Sequence, residues 1–196
     1  MARYLRVNLT GIDMNDRLFY FAGGARGQWS VRQQTTLSGE ALECVTHVAM
    51  LSAQQTPENA QWILPGVTSN ERYVERAEKE KLVATQEGLG RPGATLAALI
   101  PIRKNAAWWG MTQDERRSVF EVQSRHIAIG MKYLPAIARK LHHCRDLPNS
   151  SPFDFLTWFE YAPQHESHFN AMLAEMRDSP EWRYVDREID IRLQRA

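Results

Sequence analysis

The residues best suited to catalysis or ligand binding in this chain are concentrated between positions 104 and 139. They are Lys104, Trp108, Trp109, His126 and Arg139. An imidazole on an apolar helix face has to be hydrogen-bonded, catalytic or bound to a metal ion. Arginine is rarely buried without a partner, so Arg139 is expected at a rim or directed at an anion. This stretch is where a functional site is expected, although a lone histidine on an apolar face is more often an ordinary core residue.

Hydrophobic periodicity predicts the helix that would carry the histidine. Residues 112–135 fit one amphipathic helix, which begins with a capping box formed by Thr112 and Glu115. His126 lies near the centre of its apolar face. The other members of that face are Val119, Phe120, Val122, Ile127, Ile129, Gly130 and Met131. Pro135 ends the helix, because proline lacks the amide hydrogen and clashes one turn back.

Two strands are expected after this helix. In the first, residues 138–146, Arg139 and His143 share one face, while His142 points to the opposite side, which argues against a metal ion shared by the two histidines. In the second, residues 152–161, the odd positions form an aromatic face with one hydroxyl. These positions are Phe153, Phe155, Thr157, Phe159 and Tyr161. Such a face is typical of the wall of a flat apolar pocket with few polar groups.

The whole pattern predicts an α+β barrel. The other elements expected are strands in the early apolar runs and in QWILPGV, a helix that follows with Thr68 and Glu71 in capping-box positions, a strand in LAALIPI, a helix at 163–178 and a strand at 183–194. The last helix would bury Phe169, Met172, Leu173 and Met176. Two strand–helix–strand halves form a pair of ferredoxin-like modules. We expect a single domain over 1–196, with residues 1–105 and 106–196 as its halves.

Composition narrows the class of protein. With 196 residues and 43% hydrophobic content the chain can bury a sizeable core, and a net charge of +1 gives no electrostatic case for a nucleic-acid or membrane partner. No apolar run approaches the ~20 residues that cross a bilayer. The N-terminus has no apolar segment with a cleavage site. Cys44 and Cys144 lie far apart in sequence, which indicates reduced thiols and a cytoplasmic protein.

Several motifs occur here in an order that resembles one family, the chlorite dismutases. They are SNERYVERAEKEKL, LIPIRKNAAWWG, HIAIGMKYLPAIARKLHHCRDL, FDFLTWFEYAP and EWRYVDREIDIRL. The resemblance covers roughly Trp62 to Arg195 and assigns no role to the first 60 or so residues. It implies a dimeric α+β barrel made of two ferredoxin-like modules and a haem b cofactor. Since the sequence has no C-x-x-C-H motif, the haem would be held non-covalently.

The resemblance also implies a role for each matching residue. His126 becomes the proximal ligand of the haem iron, with Glu181 hydrogen-bonded to its other ring nitrogen. Arg139 becomes the distal arginine on the opposite face of the haem and is the catalytic residue. The remaining positions would contact the cofactor or its cavity: Lys104 and Trp108 at the propionates, Trp109 at the haem edge, Thr157 and Phe159 beside Arg139, Asn70 in the cap of the TSNERY helix, and Gln86 near the cavity entrance.

The activity implied is decomposition of chlorite to chloride and dioxygen through a ferryl intermediate and hypochlorite. Arg139 would hold the anionic substrate and keep hypochlorite from escaping. Within the superfamily the alternatives are a coprohaem decarboxylase, whose members generally lack the distal arginine, and a dye-decolorising type of peroxidase, whose G-x-x-D-G motif is absent here. A non-catalytic haem-binding or haem-sensing protein is a further alternative. The short lineage that the chain resembles is typically homodimeric.

Overall fold

Eight antiparallel strands form a closed barrel in the computed structural model, which describes residues 17–55, 59–68, 72–147 and 151–196. The strands are β1 Leu18–Gly24, β2 Trp29–Ser38, β3 His47–Ser52, β4 Ala60–Thr68, β5 Leu96–Lys104, β6 Ile137–His143, β7 Phe155–Tyr161 and β8 Val185–Arg195. Around the barrel their order is β1-β3-β2-β8-β5-β7-β6-β4. The α+β barrel expected from the sequence is confirmed.

The helices cover the half of the barrel that the C-terminal strands form. They are α1 Arg76–Thr85, α2 Ala106–Gly110, α3 Gln113–Arg117, α4 His126–Lys132 and α5 Glu166–Arg177. As expected, α5 buries Phe169, Met172, Leu173 and Met176 against the sheet. Throughout the described ranges, none of these helices combines the length and the apolar character needed to cross a bilayer.

Strand pairing shows how the two halves meet. Strand β5 pairs along its length with both β7 and β8, so it belongs with the C-terminal strands, which form the part β8-β5-β7-β6 of the barrel. A division at residues 105/106 would separate β5 from the strands to which it is hydrogen-bonded. One seam between the halves, β2 with β8, is long, whereas the other joins β4 to β6 only through Val67↔His143 and Thr68↔His142.

Side-chain alternation along β7 separates two cores. Trp158 points into the barrel interior, where it packs with residues from the other strands. Phe155 and Phe159 point outward into a second core, shared with α4 and α5. Phe153 was expected to join that outward face but lies in the interior cluster, because it precedes the first residue of the strand. The outer core holds the cavity described below.

The expected single helix over 112–135 is wrong. After α3 the chain forms a π-helical turn, Ser118–Gln123, and then breaks at Arg125, which has φ 53°. Because a π turn takes more residues than an α turn, it rotates the face that follows. Val122, expected on the apolar face, is therefore 74% exposed. His126 is the first residue of the new helix α4 instead of the middle of a long one.

The helix after β4 also starts later than expected. Thr68 is the last residue of β4, and Glu71 lies outside the described residues. Helix α1 has its capping box at Glu75 and Glu78 instead, a pair with the same three-residue spacing as Thr68 and Glu71.

The adjacent histidines of β6 lie in different surroundings. His142 is fully buried in the barrel interior, with its ring 5.2 Å from that of Phe19 and 5.0 Å from that of Phe21. His143 packs edge-on against Phe155 in the outer core. Burial lowers the pKa of each imidazole to about 4. The two rings therefore face opposite sides of the sheet, as alternation requires.

Stability should fall on acidification through the histidine range. A histidine with a folded pKa near 4 takes up its proton more readily when unfolded, where its pKa is about 6.5. The free energy of unfolding should therefore decrease as pH falls from about 6.5 to 4, by about 3 kcal/mol for His142. We expect His142→Phe to flatten this slope, measured by urea unfolding across that range. His168→Gln, which removes an exposed histidine of α5, serves as control, and an unchanged slope in His142→Phe would refute the expectation.

The start of α4 depends on one glutamate. The Glu121 carboxylate accepts a hydrogen bond from the backbone N–H of Ile127 at 2.6 Å and a longer one from Ala128 at 3.4 Å. These amides have no partner within the helix, so Glu121 caps it from the preceding turn. We expect Glu121→Ala to lower the free energy of unfolding by about 1 kcal/mol, measured with urea. Val122→Ala, at the exposed next position, should change it by less than about 0.5 kcal/mol. Equal losses of stability in both variants would contradict the capping role of Glu121.

Candidate active site

A cavity of about 280 Å³ lies between the strands β5, β6 and β7 and the helices. Its walls are mostly apolar, with a few polar groups that converge on it, as in small-molecule sites generally. The polar or charged residues of its lining include Lys104, His126, Arg139, Thr157 and Glu181. The apolar part includes Ile100, Ile102, Phe120, Phe155, Phe159, Leu173 and Met176.

His126 is held by a carboxylate from a distant part of the chain. Its Nδ1 lies 2.7 Å from Oε2 of Glu181, which belongs to the short 3₁₀ turn Pro180–Tyr184. The backbone N–H of Glu181 donates to Oγ of Ser124 at 2.8 Å, which fixes that turn against the break before α4. Phe120 stacks on the imidazole with ring centroids 4.2 Å apart. A carboxylate at Nδ1 assigns the proton to that nitrogen and leaves the lone pair of Nε2 for a ligand.

Lys104 completes this arrangement on the other carboxylate oxygen. Its Nζ lies 2.8 Å from Oε1 of Glu181, and the two side chains are 1% and 4% exposed. Burial alone would raise the pKa of Glu181, but the electrostatic attraction of His126 and Lys104 and the hydrogen bonds from both lower it to about 2. Burial also lowers the pKa of Lys104, an effect that Glu181 opposes. The cavity thus contains an ionised carboxylate with a donor on each oxygen.

Arg139 enters the cavity from β6. Across the described ranges, no carboxylate or carbonyl accepts a hydrogen bond from its guanidinium, and burial lowers its pKa. A Cβ placed on Gly130 would clash with its Nη1, so the guanidinium lies directly against the α4 backbone, one turn beyond His126. The histidine and the arginine therefore face the same space from different elements. A half-buried cation of this kind, without an anionic partner among the described residues, is suited to binding an anion.

Three further predicted residues surround Arg139. Thr157 and Phe159 line the cavity from the neighbouring strand β7, where Phe159 is the register partner of Arg139. Gln86 follows α1, and its Nε2 donates to the backbone carbonyl of Arg139 at 2.8 Å. The structure therefore brings these residues together at one end of the cavity, and their contacts with a bound cofactor stay a prediction.

The two tryptophans differ in position. Trp108 is 1% exposed and lines the cavity, and its indole Nε1 has no hydrogen-bond partner among the described residues. Trp109 packs behind the wall, stacked on Phe155 at 5.9 Å, with its indole N–H donated to Asp154 at 3.1 Å. Asn70, the remaining predicted residue, lies outside the described residues.

Sequence reasoning missed several residues that support the site. Ser124, Phe120 and Asp154 each contact one of the predicted residues. Phe120 and Ser124 precede His126 across the helix break that the periodicity did not indicate. Asp154 gave one usable signal, since an acidic residue between Phe153 and Phe155 in an otherwise apolar strand is a candidate for burial with partners.

The α+β barrel thus brings together in one cavity a carboxylate-supported histidine and an arginine that has no hydrogen-bond partner among the described residues, a combination suited to binding a metal-containing cofactor. The sequence also matches a known protein family. Residues 34–195 match the family described as chlorite dismutase, and the chain belongs to the chlorite dismutase family. The match begins at residue 34, so part of the N-terminal segment that had seemed unrelated is included.

Individual relatives agree with this assignment. The chain is 54% identical to the dimeric chlorite dismutase of Nitrobacter winogradskyi, with a TM-score of 0.84 over 91% of this chain and 99% of that one. It is 30% identical over 128 residues to the chlorite dismutase of Ideonella dechloratans, a stretch that covers 62% of this chain and 40% of that protein. The chain thus spans about two fifths of that relative. Candidatus Nitrospira defluvii chlorite dismutase, at 18% identity and a TM-score of 0.64, shares the fold.

The buried pair can be tested through stability. Replacing Lys104 with Met would leave the Glu181 charge buried with one partner fewer, which should cost about 3 kcal/mol in urea unfolding. Adding Glu181→Gln removes that charge, so the double variant should recover part of the loss and show a coupling of about 2 kcal/mol. Lys132→Met removes the exposed pair of Lys132 with Glu175 and should cost less than about 1 kcal/mol. Additive losses at Lys104 and Glu181 would contradict the pairing.

Proposed function

We propose that this chain binds haem b non-covalently and decomposes chlorite to chloride and dioxygen. The observation that carries the proposal is the placement of His126, backed by Glu181, and of the unpaired Arg139 in one cavity. A histidine supported by a carboxylate is a strong axial ligand for iron, and an unpaired guanidinium attracts a small anion. Membership of the chlorite dismutase family and the similarity to the Nitrobacter enzyme support the same activity.

The residues of the cavity fit a haem. Nε2 of His126 would bind the iron, and the apolar walls would suit a porphyrin. The unpartnered Nε1–H of buried Trp108 is a donor suited to a propionate, and the ammonium of Lys104 lies 4.5 Å from the centre of the Trp108 ring. We infer that these two residues hold the propionate side and His126 holds the iron. When bound, haem supplies the iron chemistry that breaks the chlorine–oxygen bond and joins two oxygen atoms.

Glu181 and Lys104 fix the proton and the orientation of His126. Glu181 accepts the Nδ1 proton of His126, which keeps the imidazole in one tautomer and one ring orientation. Because Glu181 stays ionised, it makes His126 a more basic ligand. Lys104 holds the second oxygen of Glu181 and prevents the carboxylate from rotating away.

On the other side, Arg139 binds the anion and retains the product of the first bond cleavage. Its guanidinium can donate two parallel hydrogen bonds to chlorite oxygens. The same cation would hold hypochlorite in the cavity until the second oxygen atom is transferred. Thr157 and Phe159 line the wall beside it and limit the entry of water. The Arg139 side chain lies against Gly130 and has to move away from it to admit both cofactor and substrate. The flexible methylene chain of arginine allows this movement.

We also propose that the chain acts as a homodimer. The support is the 54% identical Nitrobacter protein, which is dimeric and 99% covered by this chain. Sedimentation velocity would show a single species of twice the chain mass. A monomer at micromolar concentration would contradict it.

A cytoplasmic location is proposed from the cysteines. Cys144 is buried and Cys44 is exposed, and neither forms a disulfide within the described structure. Free thiols of this kind are typical of reducing compartments. Cell fractionation with an antibody against the chain would test the location, and recovery with the periplasmic fraction would contradict it.

The activity is tested by oxygen release from chlorite with haem-loaded protein, followed with a Clark electrode while the Soret band is recorded. Wild-type protein should release oxygen, and His126→Ala should lose it together with the Soret position of a histidine-ligated haem. Arg139→Ala should lower the rate by about tenfold, the value of one charge-assisted hydrogen bond, and should inactivate faster because hypochlorite escapes. Arg103→Gln removes a surface charge from β5 and should match wild type. A Soret band without oxygen release would refute the proposed activity.

A further inference from the structure

Strand β5 ends at Lys104, directly after a shift in its pairing register with β8. The pairing of β5 with β8 shifts between Arg103 and Lys104, so the ladder is locally disrupted there. Arg103 is exposed and pairs with Asp186 at the surface, whereas Lys104 is buried and extends to Glu181. The direction of the Lys104 side chain is therefore determined at this point of the strand.

A buried carboxylate binds the backbone at this shift. Asp154 is 4% exposed, and its Oδ2 accepts the backbone N–H of Lys104 at 2.7 Å. The same oxygen accepts the indole N–H of Trp109 at 3.1 Å, and Oδ1 lies 3.4 Å from Nη1 of Arg145. Asp154 itself is fixed, since its backbone N–H donates to the carbonyl of Ile102. One side chain thus joins the ends of β5 and β6 to helix α2.

We propose that Asp154 is a positioning residue for the histidine ligand. By holding the backbone of Lys104 where the register shifts, it directs the ammonium to Glu181, and Glu181 in turn orients His126. The inference rests on the proposed function, because it assigns Asp154 an effect on the iron ligand through two intervening residues. Supporting partners of this kind commonly change metal-site properties without contacting the metal.

Strand β7, which begins directly after Asp154, offers a matched control. Glu160 is 3% exposed and, like Asp154, accepts one backbone N–H and one indole N–H, from Gly90 at 2.6 Å and Trp158 at 3.0 Å. Trp158 packs in the barrel interior, away from Lys104. Losing Glu160 therefore removes the same kinds of hydrogen bond without touching the network of His126.

The test is resonance Raman spectroscopy of the ferrous haem-loaded protein, in which the iron–histidine stretching band reports the hydrogen bond at Nδ1. We expect Asp154→Ala to shift this band in the same direction as Lys104→Met, and to add no further shift in the Lys104→Met background. Asp154→Asn keeps an oxygen for Lys104 and Trp109 and should retain the wild-type band. Glu160→Ala should also retain it. Haem transfer to a scavenger protein should be about tenfold faster in Asp154→Ala than in wild type.

The outcomes separate the two proposals. If the wild-type protein shows no iron–histidine band, the proposed haem ligation fails. If wild type shows the band but Asp154→Ala leaves it in place, or shifts it no more than Glu160→Ala does, the positioning role of Asp154 is overturned. Equal shifts in Asp154→Asn and Asp154→Ala would overturn it too, because the hydrogen bonds would then not be what matters. The comparison of Asp154→Ala, Asp154→Asn and Glu160→Ala decides the question even if Lys104→Met fails to load haem.

Discussion

The ionised carboxylate of Glu181, buried between an imidazole and an ammonium group, is the constraint on which the arrangement of the cavity depends. A buried carboxylate is costly unless its oxygens are hydrogen-bonded and its charge is paired. Glu181 satisfies both conditions through His126 and Lys104. These residues come from the start of α4, the end of β5 and the turn after α5, so the carboxylate can be buried only when all three segments are in place. Folding of these segments and assembly of the His126 part of the site are therefore the same event.

The regular parts of the structure could be predicted from periodicity, and the irregular parts could not. The four apolar residues of α5 were predicted because that helix keeps one period throughout. The helix containing His126 was predicted as continuous, because a fixed 100° step cannot detect a π turn or a left-handed residue such as Arg125. Its true start is stabilised by Glu121, whose carboxylate reaches forward across the break.

The candidate site was predictable to a different degree. Nothing in the local pattern connects Glu181 to His126, since the two residues are 55 positions apart, and only the resemblance to a family paired them. Asp154 was not found by either route, because an acidic residue is expected at the surface unless its partners are known. Those partners, Lys104 and Trp109, come from segments that meet only in the folded barrel.

The two sides of the cavity are fixed by unequal means. His126 is held by a buried ion pair, which tolerates little displacement. Arg139 lies on β6, whose pairing with β4 is limited to His142 and His143. The backbone carbonyl of Arg139 therefore accepts its hydrogen bond from the side chain of Gln86, after α1, and not from a neighbouring strand. Arg187, a more deeply buried arginine, shows the alternative, since it donates to two backbone carbonyls and stacks over an aromatic ring. Since the Arg139 guanidinium has no such partners in the part of the chain that the structure describes, its side chain can move while its strand stays in place. A rigid ligand opposite a movable cation suits a reaction in which the cofactor must stay fixed while a small anion enters, is held and leaves.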